Sequence, residues 1–281
     1  MLTDYHVHLR PDEDWTPAGR YFTPENAERY REAAEERGIT ELGVAEHVHR
    51  FVQALEVWPH PWYRHWAADD LDEYCAFVRE GTDLRLGIEA DFIPGREDRM
   101  ANLLDGRDWD YVVGSVHFLR EDAVDIATHD ARWSGISAWR SQEPERIWRR
   151  YFEALGEAAR TGMFDILAHP DLVKVFGTDG PWPDGDLRRF YELAMDGIAE
   201  SDVAIEVSTA GLRKPVGEIY PAAAFLEMCL EAGRPVALSS DAHRPEQLGF
   251  EYERAVEWLA DLGVGEIATF ERRRRRLGPL G

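Results

Sequence analysis

Two histidines near the start of the chain, His6 and His8, are two positions apart. In an extended segment, alternate side chains point to the same face, so both imidazoles can reach one metal ion. Such a pair is also common on ordinary surfaces, and it indicates a metal site only in company with further ligands. Near the other end of the chain, Asp241 and His243 repeat the spacing with a carboxylate and an imidazole. The two pairs therefore predict one shared site if the fold brings the chain ends together.

Further potential ligands lie between these pairs, and each follows a short apolar run. They are Glu46, His47, Glu89, His117 and His169. Imidazole and carboxylate are ligands for zinc, manganese and iron. The two cysteines, Cys75 and Cys229, are far apart and form no Cys-x-x-Cys motif, so any metal must be held by histidine and carboxylate.

Seven short apolar runs alternate with longer amphipathic stretches, which is the pattern of repeated βα units around a parallel sheet. The runs cover residues 3–6, 39–45, 84–90, 111–116, 164–168, 203–207 and 235–239. Thr23-Pro24 and Pro144 predict helix starts, and Gly38 and Gly162 predict the corresponding ends. Since the loops that follow barrel strands converge on one mouth, the ligands are predicted to form one polynuclear centre there.

Two connections are long for such units, residues 48–69 and 118–143. Long loops in a barrel either line the active site or cover a small hydrophobic cluster, and both interpretations stay open. Trp58, Trp62 and Trp66 recur at a spacing of four, which predicts indoles along one side of a helical turn beside the substrate.

The composition argues against some classes of protein. The 281 residues carry a formal net charge of −22 and are 44% hydrophobic, which argues against a disordered chain or a nucleic-acid-coating surface. The basic run 272–276 is accordingly interpreted as a solvated or salt-bridged helix face. The N-terminus lacks signal-peptide character, and no apolar run has membrane-spanning length. We expect a cytoplasmic protein of one domain, residues 1–281, with no nucleic-acid or membrane partner.

The motifs resemble the polymerase and histidinol phosphatase (PHP) family of metal-dependent phosphoesterases from end to end. They are H-V-H at 6–8, E-H at 46–47, G-I-E-A-D at 87–91, G-S-V-H-F at 114–118, A-H-P-D-L at 168–172 and S-D-A-H at 240–243. The stretches 164–174 and 208–215 look like the histidinol-phosphatase branch in particular. The resemblance implies a distorted (β/α)₇ barrel, in agreement with the seven runs.

The resemblance also implies two or three divalent transition metal ions, with zinc, manganese or iron left open. The first would be held by His6, His8, Glu89 and Asp241, and the second by Glu89, His117 and His169. A third would use His47, His243 and the residue eight positions after the first histidine. That residue is Asp14, where many relatives have histidine. Because a carboxylate is harder than imidazole and carries a charge, occupancy of the third site is left open.

Clustered cations lower the pKa of bound water and neutralise phosphoryl oxygens, which indicates phosphate-ester hydrolysis by a metal-bridging hydroxide. The branch implies L-histidinol phosphate, a small phosphorylated metabolite of histidine biosynthesis, as the substrate. Candidates for the general acid are Glu46, Asp171 and Asp14, each of which is equally suited to hold a histidine ligand in place. For the substrate phosphate we expect Arg213 and the chain's two lysines, Lys174 and Lys214.

Two alternatives come from other classes. Nuclease branches of the family make another phosphoester a possible substrate, although the chain has no interleaved aromatic and basic stripe. A metal-binding domain without catalysis is the other alternative, and the complete set of ligands argues against it.

Overall fold

A parallel sheet forms the centre of the protein, whose structure is a computed structural model that describes residues 1–13 and 16–281. The strands are β1 (Leu2–Asp4), β2 (Ile39–His47), β3 (Arg85–Asp91), β4 (Tyr111–Ser115), β5 (Phe118–Leu119), β6 (Asp122–Ala123), β7 (Ile166–Leu167), β8 (Ala204–Ser208), β9 (Val236–Ser239), β10 (Glu266–Glu271) and β11 (Arg274–Pro279). The sheet contains β1–β4 and β7–β9 in chain order, and all its pairings are parallel. A parallel bridge between Val7 and Ala242 joins its two edges, so the sheet is a nearly closed barrel. This confirms the predicted (β/α)₇ fold.

Nine helices accompany the strands in the described residues. They are α1 (Pro24–Glu36), α2 (Ala54–Val57), α3 (Pro61–Trp66), α4 (Leu71–Gly81), α5 (Glu97–Leu104), α6 (Pro144–Arg160), α7 (Arg188–Glu200), α8 (Ala223–Glu231) and α9 (Tyr252–Asp261). The Thr23 hydroxyl caps α1 by accepting the Asn26 N–H at 3.2 Å, and α6 begins at Pro144, as the sequence predicts. Of these helices, α2 and α3 belong to the first long connection, and the hairpin β5–β6 belongs to the second.

The hairpin β10–β11 covers the end of the barrel at which the strands begin. Its turn contacts residues that precede two strands, since the Arg272 N–H donates to Asp110 Oδ1 at 3.0 Å and Arg273 Nε lies 2.5 Å from Asp165 Oδ2. The prediction that residues 272–276 form a helix face is therefore wrong, although Arg273 is indeed paired with an acid. Ala268 and Phe270 of β10 are two positions apart and both buried, which is the period of a strand rather than of a helix.

Among residues 1–13 and 16–281, no helix is long and apolar enough to cross a membrane.

Candidate metal centre

The predicted ligands gather at the opposite end of the barrel, where the strands end. His47 is the last residue of β2, and Glu89 lies two residues before the end of β3. The others come two to four residues after the end of a strand. These others are His6, His8, His117, His169, Asp241 and His243. The backbone is turned at two of them, with φ angles of 25° at His169 and 49° at Asp241. Eight of the nine predicted ligands therefore lie in one place. The ninth, Asp14, lies outside the described residues.

Glu89 is at the centre of the group and is 1% exposed. One carboxylate oxygen lies 3.3 Å from His169 Nε2 and 3.4 Å from His117 Nε2. The other lies 3.3 Å from His6 Nε2 and also contacts His47 Nδ1. Two donors bound tetrahedrally to one ion, with bonds of about 2.0–2.2 Å, are separated by roughly 3.3–3.6 Å. The separations from His6, His117 and His169 match this spacing and exceed the usual hydrogen-bond length of about 2.9 Å.

Asp241 provides a second gathering point. Its Oδ1 lies 3.4 Å from His8 Nε2 and 3.8 Å from His6 Nε2. On the outer side, the Nε2 atoms of His47 and His243 are 3.3 Å apart. Three overlapping groups have donor atoms close enough to share an ion: His6 with His8 and Asp241, His6 with Glu89 and His169, and His8 with His47 and His243.

The buried atoms of this group lack other partners. His6 Nε2, His8 Nε2 and Asp241 Oδ1 are buried and make no hydrogen bond to any residue in 1–13 or 16–281. Burial of polar atoms without partners costs free energy, so such atoms call for a ligand. Imidazole nitrogens and carboxylate oxygens are suitable donors for divalent transition metal ions. The residues present therefore fit the metal ions that the sequence implies.

The surroundings shift the pKa values of the ligands in different directions, so that some are neutral and others are charged. Burial, reinforced by the neighbouring His243, lowers the pKa of His8 to about 3, so His8 is neutral. Burial also lowers the pKa of His117, but the carboxylates of Glu89 and Asp91 outweigh it and raise this pKa to about 10. For Glu89, burial favours the neutral acid, yet the surrounding histidines hold the pKa well below its usual value. The metal-free centre therefore combines an ionised Glu89 with a neutral His8 and a protonated His117.

Two acids that we did not predict from the sequence hold ligands from behind. Glu206 Oε1 lies 2.7 Å from His6 Nδ1 and accepts the Ser239 hydroxyl at 2.7 Å. Asp91 Oδ1 lies 2.7 Å from His117 Nδ1. Such contacts fix the tautomer and orientation of a ligating imidazole. The available signal for Glu206 was an acid inside the apolar run 203–207, because a buried acid needs a partner.

A cavity of about 400 Å³ opens onto the ligands. Its aromatic lining includes Trp62 and Trp66 of α3, as predicted, but Trp58 is buried and stacks on His60 with ring centroids 4.1 Å apart. The spacing of four failed for Trp58 because Pro61 begins the helix after it. Charged and polar lining residues that the sequence analysis missed are Asp12, His49, Asp125 and Tyr220.

Two of the three candidate general acids, Glu46 and Asp171, are buried and do not border this cavity, and the third, Asp14, lies outside the described residues. Glu46 accepts the N–H groups of Leu9 and Arg10 at 2.6 and 3.0 Å, and Arg50 Nη1 lies 2.5 Å from its second oxygen. Asp171 lies 3.0 Å from Lys174 Nζ. The geometry gives each of these acids a role in holding loops rather than in proton transfer.

The predicted phosphate-binding residues separate in the same way. Lys214 is exposed and borders the cavity, whereas Lys174 is 3% exposed, pairs with Asp171 and Glu218 at 3.0 Å each, and lies away from the cavity lining. Arg213 Nη2 donates to the backbone carbonyls of Ser240 and Asp241 at 2.8 and 2.9 Å, and it does not border the cavity either. Lys174 and Arg213 thus support the loops around the site.

A barrel with histidine and carboxylate ligands gathered at its mouth is the arrangement of a metal-dependent hydrolase, and comparisons with known proteins identify it as a phosphoesterase. Residues 24–210 match the family model of the PHP domain. The chain is 34% identical to a probable histidinol-phosphatase from Deinococcus radiodurans, with 97% of this chain and 98% of that protein covered. It is 30% identical to the histidinol-phosphatase of Bacillus subtilis, with 62% of this chain and 68% of that protein covered. The chain belongs to the PHP domain family.

A solved structure gives the same fold. The histidinol phosphate phosphatase of Lactococcus lactis, crystallised with zinc, L-histidinol and phosphate, superposes with a TM-score of 0.69 at 18% identity. The comparison covers 98% of each chain.

Proposed function

We propose that this protein is a metal-dependent phosphatase that hydrolyses L-histidinol phosphate to L-histidinol and phosphate, a step of histidine biosynthesis. The observation that carries the proposal is the group of buried ligand atoms without protein partners at the floor of a cavity. The names of the relatives from Deinococcus radiodurans and Bacillus subtilis support the substrate. The ligands of the Lactococcus lactis structure support both the substrate and the use of metal.

The donor set supports two or three divalent ions, with zinc, manganese or iron as candidates. His6, His8, Glu89 and Asp241 would hold the first and Glu89, His117 and His169 the second, while His47 and His243 would belong to a third. When bound, the ions lower the pKa of water and neutralise charge on the phosphoryl group. The chain's own contribution is to fix the ligands through Glu206 and Asp91 and to limit access of bulk water through the cavity walls.

The cavity walls complement the two ends of L-histidinol phosphate. This substrate has a phosphate at one end and a protonated amine and an imidazole ring at the other. Lys214 offers a positive charge for the phosphate and Asp125 a carboxylate for the amine, while Trp62 and Trp66 present aromatic rings to the imidazole. A lining that has both a positive and a negative side chain distinguishes an amino alcohol phosphate from a purely anionic ester.

The same cavity disfavours the nuclease alternative. A volume of about 400 Å³ suits a small metabolite rather than a polynucleotide groove. The net charge of −22 opposes the approach of a nucleic acid. We further propose that residues 1–281 act as one domain, because the C-terminal hairpin contacts residues that precede β4 and β7. The cytoplasm is the location we expect for an enzyme of this pathway.

A substrate panel tests the proposal. Phosphate release is measured from L-histidinol phosphate and from the amine-free ester phenyl phosphate, and cleavage of single-stranded DNA is measured by the release of nucleotides, with the metal-free protein reloaded separately with zinc, manganese or iron. We expect L-histidinol phosphate to have the highest kcat/KM. Asp125→Asn should raise KM for L-histidinol phosphate about tenfold and leave phenyl phosphate unchanged. Preference for DNA, or equal losses on both esters, would contradict the proposal.

A further inference from the structure

Asp12 lies over the outer group of histidines, two positions before the residue to which the family resemblance points. Its Oδ2 is 3.2 Å from His243 Nε2, and that nitrogen is 3.3 Å from His47 Nε2. Both separations are close to the roughly 3.3 Å expected between two donors of one tetrahedral ion. Asp12 also borders the cavity together with His47 and His243. On the outer side of the centre, Asp12 Oδ2 and His47 Nε2 are thus both neighbours of His243 Nε2.

A buried arginine holds Asp12 in this place. The Arg50 side chain is fully buried, and its Nη2 donates to Asp12 Oδ1 at 2.5 Å. Its Nη1 donates to Glu46 Oε2 at 2.5 Å and also to the Arg10 carbonyl. Because Arg50 occupies Oδ1, the oxygen that remains for an ion is Oδ2, the one near His243. Although the Asp12 side chain is 59% exposed, it is not a freely solvated loop acid.

Further contacts, made by Glu46 and Arg10, fix the loop that carries Asp12 to the barrel. Glu46 accepts the Leu9 and Arg10 N–H groups at 2.6 and 3.0 Å. Arg10 Nη1 in turn lies 2.6 Å from Asp69 Oδ2, with both side chains at most 3% exposed. Separation of such a pair would leave a buried charge without its partner, which costs free energy. The pair therefore stabilises this conformation of the loop. The chain therefore presents Asp12 on a rigid support, which is what a ligand position requires.

We propose that Asp12, held by Arg50, is the carboxylate ligand of the ion site formed by His47 and His243. The proposal rests on the metal-dependent function proposed above and adds to it the ligand of the outer ion. Arg50 acts as a positioning residue, since it touches the carboxylate and not the ion. The two residues of the E-H motif at 46–47 then have different roles, because Glu46 holds Arg50 in place while His47 binds metal.

The test compares two aspartates that are two positions apart in the sequence, through the variants Asp12→Asn and Asp14→Asn. The metal-free form of each variant and of the wild type is titrated with Mn²⁺, and bound equivalents and affinities are measured by equilibrium dialysis with elemental analysis. We expect the wild type to bind three ions. In Asp12→Asn, the affinity of one equivalent should fall at least tenfold while the other two are unchanged, and Asp14→Asn should match the wild type.

Several outcomes would overturn the proposal: unchanged binding in Asp12→Asn, loss of the third ion in Asp14→Asn alone, or only two ions in the wild type. Circular dichroism of the metal-free variants shows whether the fold is intact. If Asp12→Asn does not fold, Asp12→Glu replaces it, and we expect that longer carboxylate to lower the same single affinity. Failure of the proposed function would look different, since the wild type would then release no phosphate from L-histidinol phosphate whatever its metal content.

Discussion

The two ends of the barrel use charged residues in opposite ways. At the base, acids that precede strands meet arginines: Asp165 pairs with Arg273 at 2.5 Å, and Asp110 pairs with Arg79 at 2.7 Å. At the mouth, imidazoles surround Glu89 and Asp241, and the separations from His6 to Glu89 and from His8 to Asp241 are longer than a good hydrogen bond. Charges at the base stabilise the chain by pairing, whereas charges at the mouth are held ready for ions.

The aromatic side chains inside the barrel also differ between its two ends. Tyr5, Tyr111 and Phe270 fill the base, with ring centroids 4.9 Å apart for the tyrosines and 5.6 Å apart for Tyr5 and Phe270. The mouth has histidines at similar distances, such as His8 and His47 with centroids 4.1 Å apart. Stability and function are thus assigned to separate ends, as is usual for barrels. Substitutions at one end should leave the other unaffected.

The largest expected effect is that of Glu89→Gln at the mouth. The amide keeps the shape of the side chain but removes the charge that contacts four histidines, so ions should bind poorly and kcat/KM should fall at least about a thousandfold. Elemental analysis and steady-state kinetics measure the two effects. A fully metal-loaded variant with wild-type turnover would contradict the assignment of Glu89.

Phe270→Ala is the corresponding change at the base. Phe270 is 2% exposed, and its removal should lower the free energy of unfolding by about 3–5 kcal/mol. Urea unfolding of the metal-free protein measures this loss. Metal content and KM of the folded variant should equal those of the wild type, and a change in either would show that the two ends are coupled.

The affinity for metal should rise with pH. Burial lowers the pKa of His6, but the carboxylates of Glu206, Glu89 and Asp241 raise it well above its usual value, and the pKa of His117 is about 10. Both histidines are therefore protonated at pH 7 without metal, and the first and the second ion must each displace one proton. The affinity of each of these ions should increase up to about tenfold per pH unit between pH 6 and 8. Chelator competition measures the slope, and an affinity independent of pH would exclude this displacement.

The two lysines give the smallest and most specific contrast. Lys214→Ala should lower kcat/KM on L-histidinol phosphate by about ten- to a hundredfold through the loss of a charge-assisted contact. Lys174→Ala should leave KM unchanged and destabilise the fold by about 3 kcal/mol, because Asp171 loses its buried partner. Kinetics and urea unfolding of both variants separate the roles. A raised KM in Lys174→Ala with unchanged stability would reverse the assignment.

Much of the fold was predictable because a parallel barrel repeats one local pattern. Each of the seven apolar runs corresponds to a strand of the sheet, and the ligands at their ends meet as predicted. The run 272–276 was misassigned because five consecutive arginines give no period, and its hairpin is defined by contacts with distant acids such as Asp165. Local sequence does not contain such long-range pairings.

It was easier to predict which residues lie at the site than to predict what each of them does there. A lysine near a strand end has the same local signature whether it faces the cavity, as Lys214 does, or an internal acid, as Lys174 does. Asp12 was overlooked because its importance depends on Arg50, which is 38 residues away. Partners across the barrel decide these roles, and one sequence does not reveal them.

The central claim is that ions held at the mouth hydrolyse L-histidinol phosphate. The most direct measurement is phosphate release from this substrate by the purified protein, by the same sample after removal of metal with a chelator, and by that sample reloaded with zinc or manganese. We predict activity in the first sample, its loss in the second and its recovery in the third in proportion to the metal bound. Full activity in the metal-free sample would contradict the claim.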